Sequence, residues 1–164
     1  INFPDAQSRS TSREIELEIH HRDVTDARRS GYRVGETSSG IRAQAARDAI
    51  CAWGNQWAEA TTSGDTADRE EAIAALRESV LWPAVTDIDP EQSYGPSEKW
   101  TDPESGHTGT YYPQETPFAY LPDVVQAAQG RELATMGTLL ENCWGELVPS
   151  LPPREESPAG DGRG

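Results

Sequence analysis

The chain has 164 residues and a formal net charge of −14, with 28 acidic residues against 14 basic ones. This length fits one domain with a buried core. The negative charge argues against binding to nucleic-acid phosphates or to an anionic membrane surface, and no apolar run reaches the roughly 18 residues that a membrane-spanning helix needs.

The N-terminal region is predicted to be extended. Residues 1–13 are polar and rich in serine, which is typical of an arm. In Glu14–His21 apolar residues alternate with polar ones, a pattern that favours a half-buried strand. Because Ile15 and Ile19 are also four residues apart, and glutamate is a poor strand former, a helix is the alternative.

The next segment leads into the helix that organises the rest of the chain. Asp23–Gly40 is rich in glycine and serine and is predicted to be mostly loop, with room for one helical turn at Val24–Arg29. Ser39–Thr62 has a clean helical period and no proline. The apolar stripe of this central helix consists of Ala43, Ala46, Ile50, Trp53 and Trp57.

A second helix is predicted directly after the first. Gly64 suits the C-terminal end of the central helix, and Asp65 or Thr66 can cap the following helix, Ala67–Leu81. Pro83 ends that helix, because a proline ring pushes the preceding residue out of the helical region. Helices joined by so few residues are expected to form an antiparallel hairpin.

Pro83–Pro122 is predicted to be a long irregular loop. Its seven prolines and three glycines argue against regular helix, and its aromatic residues argue against disorder. Irregular segments of this length are often functional. We therefore expect this loop to wrap the helices and to offer the contact surface for a partner. The residues predicted to bind are Tyr94, Trp100, Tyr111, Tyr112 and Tyr120.

The C-terminal part is predicted to be helical and then flexible. Pro122 fits the first turn of a helix over residues 123–130, and a helix with a continuous apolar stripe follows at Arg131–Val148. Residues 149–164 read as a flexible tail. The predicted fold is mainly α: a three-helix core under the proline-, glycine- and aromatic-rich loop, with a short N-terminal strand or extended arm. Residues 14–148 form its single domain.

The tryptophans are interpreted mainly as core residues. Four lie on or at the end of predicted helices and are expected to be buried: Trp53, Trp57, Trp82 and Trp144. Trp100 lies in the long loop, and the sequence leaves open whether it packs against the helices or binds a partner. Binding is an alternative because aromatic residues with a polar group are enriched at interfaces.

The two cysteines, Cys51 and Cys143, fall on two predicted helices. If these helices pack together, a disulfide can join them, with a stabilisation of roughly 4–5 kcal/mol in the chain-entropy model. Two separate buried thiols are the alternative. A catalytic thiol is disfavoured, because neither cysteine belongs to a nucleophile motif and the apolar stripe around Cys143 would raise its pKa.

The histidines do not predict a metal site or a cofactor. His20 and His21 are adjacent and would point to opposite faces of a strand, and no metal-ligand spacing occurs in the chain. His107 lies in the long loop, where it could act with Asp102 or Glu104 in a small hydrolase.

One acidic stretch resembles a calcium-binding loop. Asp87–Glu98 carries side-chain oxygens at positions 1, 3, 5 and 12 of a twelve-residue loop, as in the EF-hand pattern. Gln92 stands where that pattern needs glycine, and prolines fill positions 4 and 10. Acidic turn residues in solvent are therefore the favoured interpretation, with a calcium-stabilised module as the alternative.

The first functional hypothesis is a non-enzymatic interaction or structural module that binds a protein partner or self-associates. It would be a subunit of a larger assembly or an exported protein. A first residue other than methionine, Ile1, and the pair of cysteines favour an extracellular or cell-surface location. A cytoplasmic or particle-associated protein is the alternative location. The small hydrolase and the calcium-stabilised module are the alternative functions.

Overall fold

The computed structural model describes residues 1–31, 35, 37–94, 98–101, 103, 106, 108–111 and 116–151, and of residues 98, 100, 110 and 111 it describes the backbone. This part of the chain is mainly helical, as the sequence predicts. None of its helices is both long and apolar enough to cross a membrane. The helices are α1 (Ala6–Ser30), α2 (Ser38–Ser63), α3 (Thr66–Ser79), α4 (Pro83–Thr86), α5 (Leu121–Gly130) and α6 (Leu133–Leu139). The strands are β1 (Glu98–Thr101) and β2 (Thr108–Tyr111), and a 3-10 helix covers Gly145–Leu147.

The N-terminal region is helical, so the strand predicted at Glu14–His21 is wrong and its helical alternative is right. Asp5 caps α1 by accepting a backbone hydrogen bond of 2.7 Å from the first turn. Ile15 and Ile19 are half-buried on one side of the helix, whereas Leu17 is 57% exposed. The alternation of apolar residues is therefore coincidental, and the pair spaced by one helical turn provides the packing contact.

Part of the predicted N-terminal arm is helical, and so is the first part of the loop predicted at Asp23–Gly40, because α1 covers both. Gly31 ends the helix with φ 74°, a left-handed conformation that glycine adopts without steric cost. α1 runs antiparallel along α2. In the first half of α1, the Ser12 hydroxyl donates to Asp48 at 2.6 Å. Later in α1, Ile19 lines a cleft together with the first turn of α2.

α2 and α3 form the predicted helical hairpin. α2 extends one residue beyond each end of the predicted range Ser39–Thr62. Gly64 ends it with φ 80°, and the Asp65 carboxylate caps α3 by accepting backbone hydrogen bonds of 2.9 and 3.1 Å. Trp82 is extended before Pro83, as the proline requires. The cap at Asp65 and the extended residue before Pro83 are confirmed at this hairpin, although α3 ends at Ser79, two residues before the predicted end at Leu81.

The hydrophobic core is built around α2. Trp57 is fully buried, and its indole N–H donates to the carbonyl of Ala128 at 3.1 Å, which joins α2 to α5. Gly54 lies directly against the Leu140 side chain, so that a Cβ at this position would overlap it. The glycine thereby allows the turn after α6 to approach α2 closely. The tryptophans buried as predicted are Trp53, Trp57 and Trp82.

The segment predicted as one irregular loop contains short regular elements. A single turn of helix, α4, begins at Pro83, where the missing N–H is not needed. β1 and β2 pair in an antiparallel hairpin, in which Trp100 is opposite Gly109 and Glu98 is opposite Tyr111. Proline therefore divides this segment into short elements and does not abolish regular structure.

A buried carboxylate joins two distant parts of this segment. Asp89 is 1% exposed, and its two oxygens accept hydrogen bonds from the backbone N–H groups of Gln92 and Phe118, both at 2.9 Å. Phe118 is fully buried in the core. Asp89 thus fixes the chain before the hairpin to the chain that enters α5.

The prediction of one helix at Arg131–Val148 is partly wrong, because α6 ends at Leu139 and a turn separates it from the 3-10 helix. Leu140 leaves the helical region at φ −103° and ψ 16°. This turn brings Cys143 to Cys51, and the predicted disulfide is formed, with an S–S distance of 2.03 Å. The apolar stripe in the sequence does not reveal this break, because apolar residues of the turn and the 3-10 helix continue the helical spacing.

Candidate functional site

A cavity of about 580 Å³ opens beside the disulfide, and we call it the aromatic cavity. One side of α2, the turn at residues 116–120, and the end of α6 with the turn that follows it form its walls. Its volume lies in the range of sites that take a small molecule or a side chain of a partner. Among the described residues, its charged and aromatic lining consists of Arg47, Asp48, Glu141, Tyr94, Tyr120 and Trp144.

A cluster of hydrogen-bonded side chains lies at the α2 wall of this cavity. The Asp48 carboxylate is 1% exposed and accepts hydrogen bonds from Ser12 Oγ at 2.6 Å and from Gln44 Nε2 at 3.0 Å. Burial raises the pKa of Asp48, and the two hydrogen bonds and the nearby Arg47 oppose that rise. The Arg47 guanidinium in turn lies close enough to the Tyr120 phenol to act on it electrostatically.

Tyr120 contributes a neutral phenol to the cavity. Burial raises the pKa of Tyr120 to about 12, although the charge of Arg47 acts in the opposite direction. The phenol therefore stays protonated at physiological pH and keeps an O–H that can donate. Tyr94 lies close enough to contribute to the rise and is 36% exposed. The two rings thus offer both apolar faces and hydrogen-bonding groups.

The buried carboxyl group makes stability depend on pH. Because the folded-state pKa of Asp48 lies above its value in the unfolded chain, the folded protein binds more protons between the two pKa values. The contribution of Asp48 to the free energy of unfolding therefore falls as the pH rises through this window, and it stays low above it. Asp48→Asn removes this loss and keeps an acceptor for Ser12, while Gln44 can turn its amide oxygen toward the new amide group.

We expect the stability of Asp48→Asn relative to the natural chain to increase as the pH rises, because only the natural chain has a carboxyl group whose pKa is raised by folding. Urea unfolding of both proteins between about pH 4 and about pH 7 measures this difference. Asp87→Asn, which changes an exposed carboxyl group, controls for the loss of one charge. A difference that stays constant with pH would contradict the prediction.

Two of the five residues predicted to bind a partner, Tyr94 and Tyr120, lie together at the aromatic cavity. Trp100 and Tyr111 are on the paired strands of the hairpin. Their side chains lie outside what the structure describes, as does all of Tyr112. The binding role of all five stays a prediction.

Sequence reasoning missed Trp144 and Arg47 as site residues. Trp144 was predicted to be in the core, but it is 38% exposed at the mouth of the cavity, because the turn after α6 takes it off the helical stripe. Arg47 lies off the apolar stripe of α2, where a charged residue is expected to face solvent, but it is half-buried near Tyr120. The disulfide was the available signal, since a bond between Cys51 and Cys143 places Trp144 next to this part of α2.

A second, smaller concavity adjoins the first. This cleft of about 260 Å³ lies between α1 and the start of α2, and we call it the isoleucine cleft after Ile19 and Ile41 in its lining. Ile41 is 52% exposed there. Gln44 and Trp144 line both concavities, so that Trp144 forms a ridge between them.

The hydrolase hypothesis concerns residues that the structure does not describe. His107, Asp102 and Glu104 lie outside the described residues. His20 and His21 are exposed on α1 and not on a strand. Within the described part of the chain, no group of three or more histidine, cysteine, aspartate or glutamate residues is arranged to hold a metal ion. The hydrolase stays a prediction.

The calcium hypothesis also stays a prediction. Of its expected ligands, Asp87 is exposed, whereas Asp89 is buried and accepts two backbone hydrogen bonds. The side chain of Glu98 lies outside the described residues. The structure therefore gives Asp89 a capping role in which it holds together two parts of the chain.

Comparison with protein-family models, with curated proteins and with solved structures finds no match to this chain.

Proposed function

We propose that this protein is a non-enzymatic interaction or structural module and that the aromatic cavity is its contact site for a protein partner. The observation that carries the proposal is the grouping of Tyr94, Tyr120 and Trp144 around one cavity. Aromatic residues that combine a large apolar surface with a polar group are enriched at protein interfaces. Three of them converge here from parts of the chain that are distant in sequence.

The exposure of Trp144 supports the same proposal. Trp53, Trp57 and Trp82 are at most 7% exposed, whereas Trp144 is 38% exposed. An exposed tryptophan beside a cavity leaves apolar surface in water that a partner can bury. Trp144 is therefore the proposed anchor of the interface, since tryptophan is a frequent hot-spot residue.

We also propose that the protein is exported or exposed at a cell surface, with a cytoplasmic or particle-associated role as the alternative. The disulfide between Cys51 and Cys143 supports this location, because such bonds persist mainly in oxidising compartments. Alkylation of the protein from its native source, followed by intact-mass measurement, tests it. Thiols protected until reduction support export, and thiols that alkylate after unfolding without reductant oppose it.

Selection of short random peptides displayed on phage against the immobilised full chain tests the contact site. We expect selected peptides whose affinity falls about tenfold or more in Trp144→Ala, in line with the loss of a hot-spot tryptophan. Leu81→Ala is the matched control, since Leu81 is 73% exposed and belongs to a different concavity. Peptides that bind both variants as tightly as the natural chain would contradict the proposed site.

A further inference from the structure

We infer that the aromatic cavity receives a lysine or arginine side chain from an extended segment of a basic partner protein, while an apolar side chain of the same segment enters the isoleucine cleft. This inference rests on the proposed function and names the chemistry of its partner.

The charge of the whole chain is the first argument. A net charge of −14 creates a negative potential that concentrates cationic partners near the surface and speeds their encounter. A second copy of the chain carries the same charge and is repelled at long range. The occupant is therefore a different protein with a basic segment.

The charged groups that line the aromatic cavity also favour a cationic side chain. Glu141 supplies an exposed carboxyl group to the lining, and Arg47 supplies one guanidinium group. Asp48 supplies a second, buried carboxyl group, which acts on an occupant through its charge and not by direct contact. Arg47 is next to Asp48 and interacts electrostatically with it, so part of the Arg47 charge is compensated within the cluster. Carboxylates at the walls of a partly enclosed cavity attract a cation more strongly than carboxylates in open water.

The aromatic rings favour the same kind of occupant. The face of an aromatic ring attracts a cationic group, most strongly for tryptophan. Trp144, Tyr94 and Tyr120 line the cavity that also contains the carboxyl groups. A lysine or arginine side chain can therefore bury its apolar stem against the rings while its charged end meets a carboxylate.

The isoleucine cleft extends the recognition site beyond a single side chain. Because Gln44 and Trp144 line both concavities, a chain that crosses Trp144 reaches them in succession. Ile19 and Ile41 provide apolar surface in the cleft, and Glu16 is also part of its lining. An apolar side chain next to the cation thus matches the second concavity, which distinguishes a peptide segment from a free cationic metabolite.

The charge of the selected peptides tests the inference. Peptides that depend on Trp144 are expected to be enriched in lysine or arginine beside an apolar residue. Synthetic copies of the best ones should bind the full chain several-fold more weakly when the salt concentration rises from about 50 to about 300 mM. Calorimetry measures the affinities.

Paired charge variants separate local from general electrostatics. Arg47→Gln should tighten binding about two- to fivefold, and Glu141→Gln should weaken it by a similar factor, as for exposed or partly exposed ion pairs. Arg42→Gln and Glu78→Gln are the matched controls, because both residues are exposed and neither lines the cavity. The controls should change affinity less than the cavity variants. Thermal unfolding of each variant confirms that it is folded.

The possible results distinguish this inference from the proposed function. Acidic or neutral peptides that depend on Trp144, or binding that weakens in Arg47→Gln, would overturn the cationic occupant and leave the contact site standing. A dimer in light scattering that is lost in Trp144→Ala would identify a second copy as the occupant and also overturn the inference. Absence of any Trp144-dependent peptide would overturn the inference together with the proposed site.

Discussion

Replacement of Cys51 and Cys143 by alanine in one double variant is expected to lower the free energy of unfolding by about 4–5 kcal/mol. The disulfide joins residues separated by 92 positions, and a bond that closes a loop of this size removes much of the conformational entropy of the unfolded chain. Urea denaturation of the natural chain and of the double variant, both without reductant, measures the difference.

Reduction provides the control for this experiment. A reductant should destabilise the natural chain by a similar amount and leave the double variant unchanged, since that variant has no thiol. A loss of less than about 1 kcal/mol in the double variant would contradict the expected role of the bond in folding stability.

The disulfide also bears on the proposed site. Cys143 directly precedes Trp144 in the turn after α6, and Cys51 lies one turn along α2 from Arg47 and Asp48. The bond thus fixes the aromatic ridge to the polar wall of the cavity. Selected peptides should therefore bind the double variant more weakly than the natural chain, even at temperatures at which the variant is fully folded.

Local signals in the sequence were sufficient for the central hairpin. The helix at Ser39–Thr62, the cap at Asp65 and the extended residue before Pro83 each depend on neighbouring residues, and the structure contains all three. The apolar pattern at Glu14–His21 fits the period of a strand and that of a helix. Only the packing of this segment against α2 selects the helix. The sequence therefore predicts a helix well where caps and a continuous apolar stripe agree, as in α2, whereas the caps of α1 at Asp5 and Gly31 were not recognised because its apolar pattern is ambiguous.

The aromatic cavity could be predicted only in part. The aromatic residues of the long loop drew attention to Tyr94 and Tyr120, but their neighbours come from α2 and from the turn after α6. Trp144 continues an apolar stripe in the sequence, and its exposure follows from the end of α6 at Leu139. Such a site depends on long-range packing, which no pattern within a short window records.

Asp89→Ala is expected to lower the free energy of unfolding by about 3 kcal/mol, because it leaves two backbone N–H groups without their charged acceptor. The amide of Phe118 is buried, so water cannot replace the carboxylate there at little cost. The two amides belong to Gln92 and Phe118, on either side of the hairpin. Calorimetric or urea unfolding measures the effect.

Asp87→Ala is the matched control, since it removes the same charge two residues away at an exposed position. Its effect should stay within about 0.5 kcal/mol, as is usual for surface substitutions.

Both measurements are made with a chelator and again with millimolar calcium. If Asp89 acts as a cap, Asp89→Ala lowers the free energy of unfolding by the same amount in both buffers. A melting temperature that rises with calcium, and no longer rises in Asp87→Ala, would instead assign these carboxylates to a cation. Because the cap positions the chain that carries Tyr94 and Tyr120, a loss of stability in Asp89→Ala should be accompanied by weaker binding at the aromatic cavity, whereas Asp87→Ala should leave binding nearly unchanged.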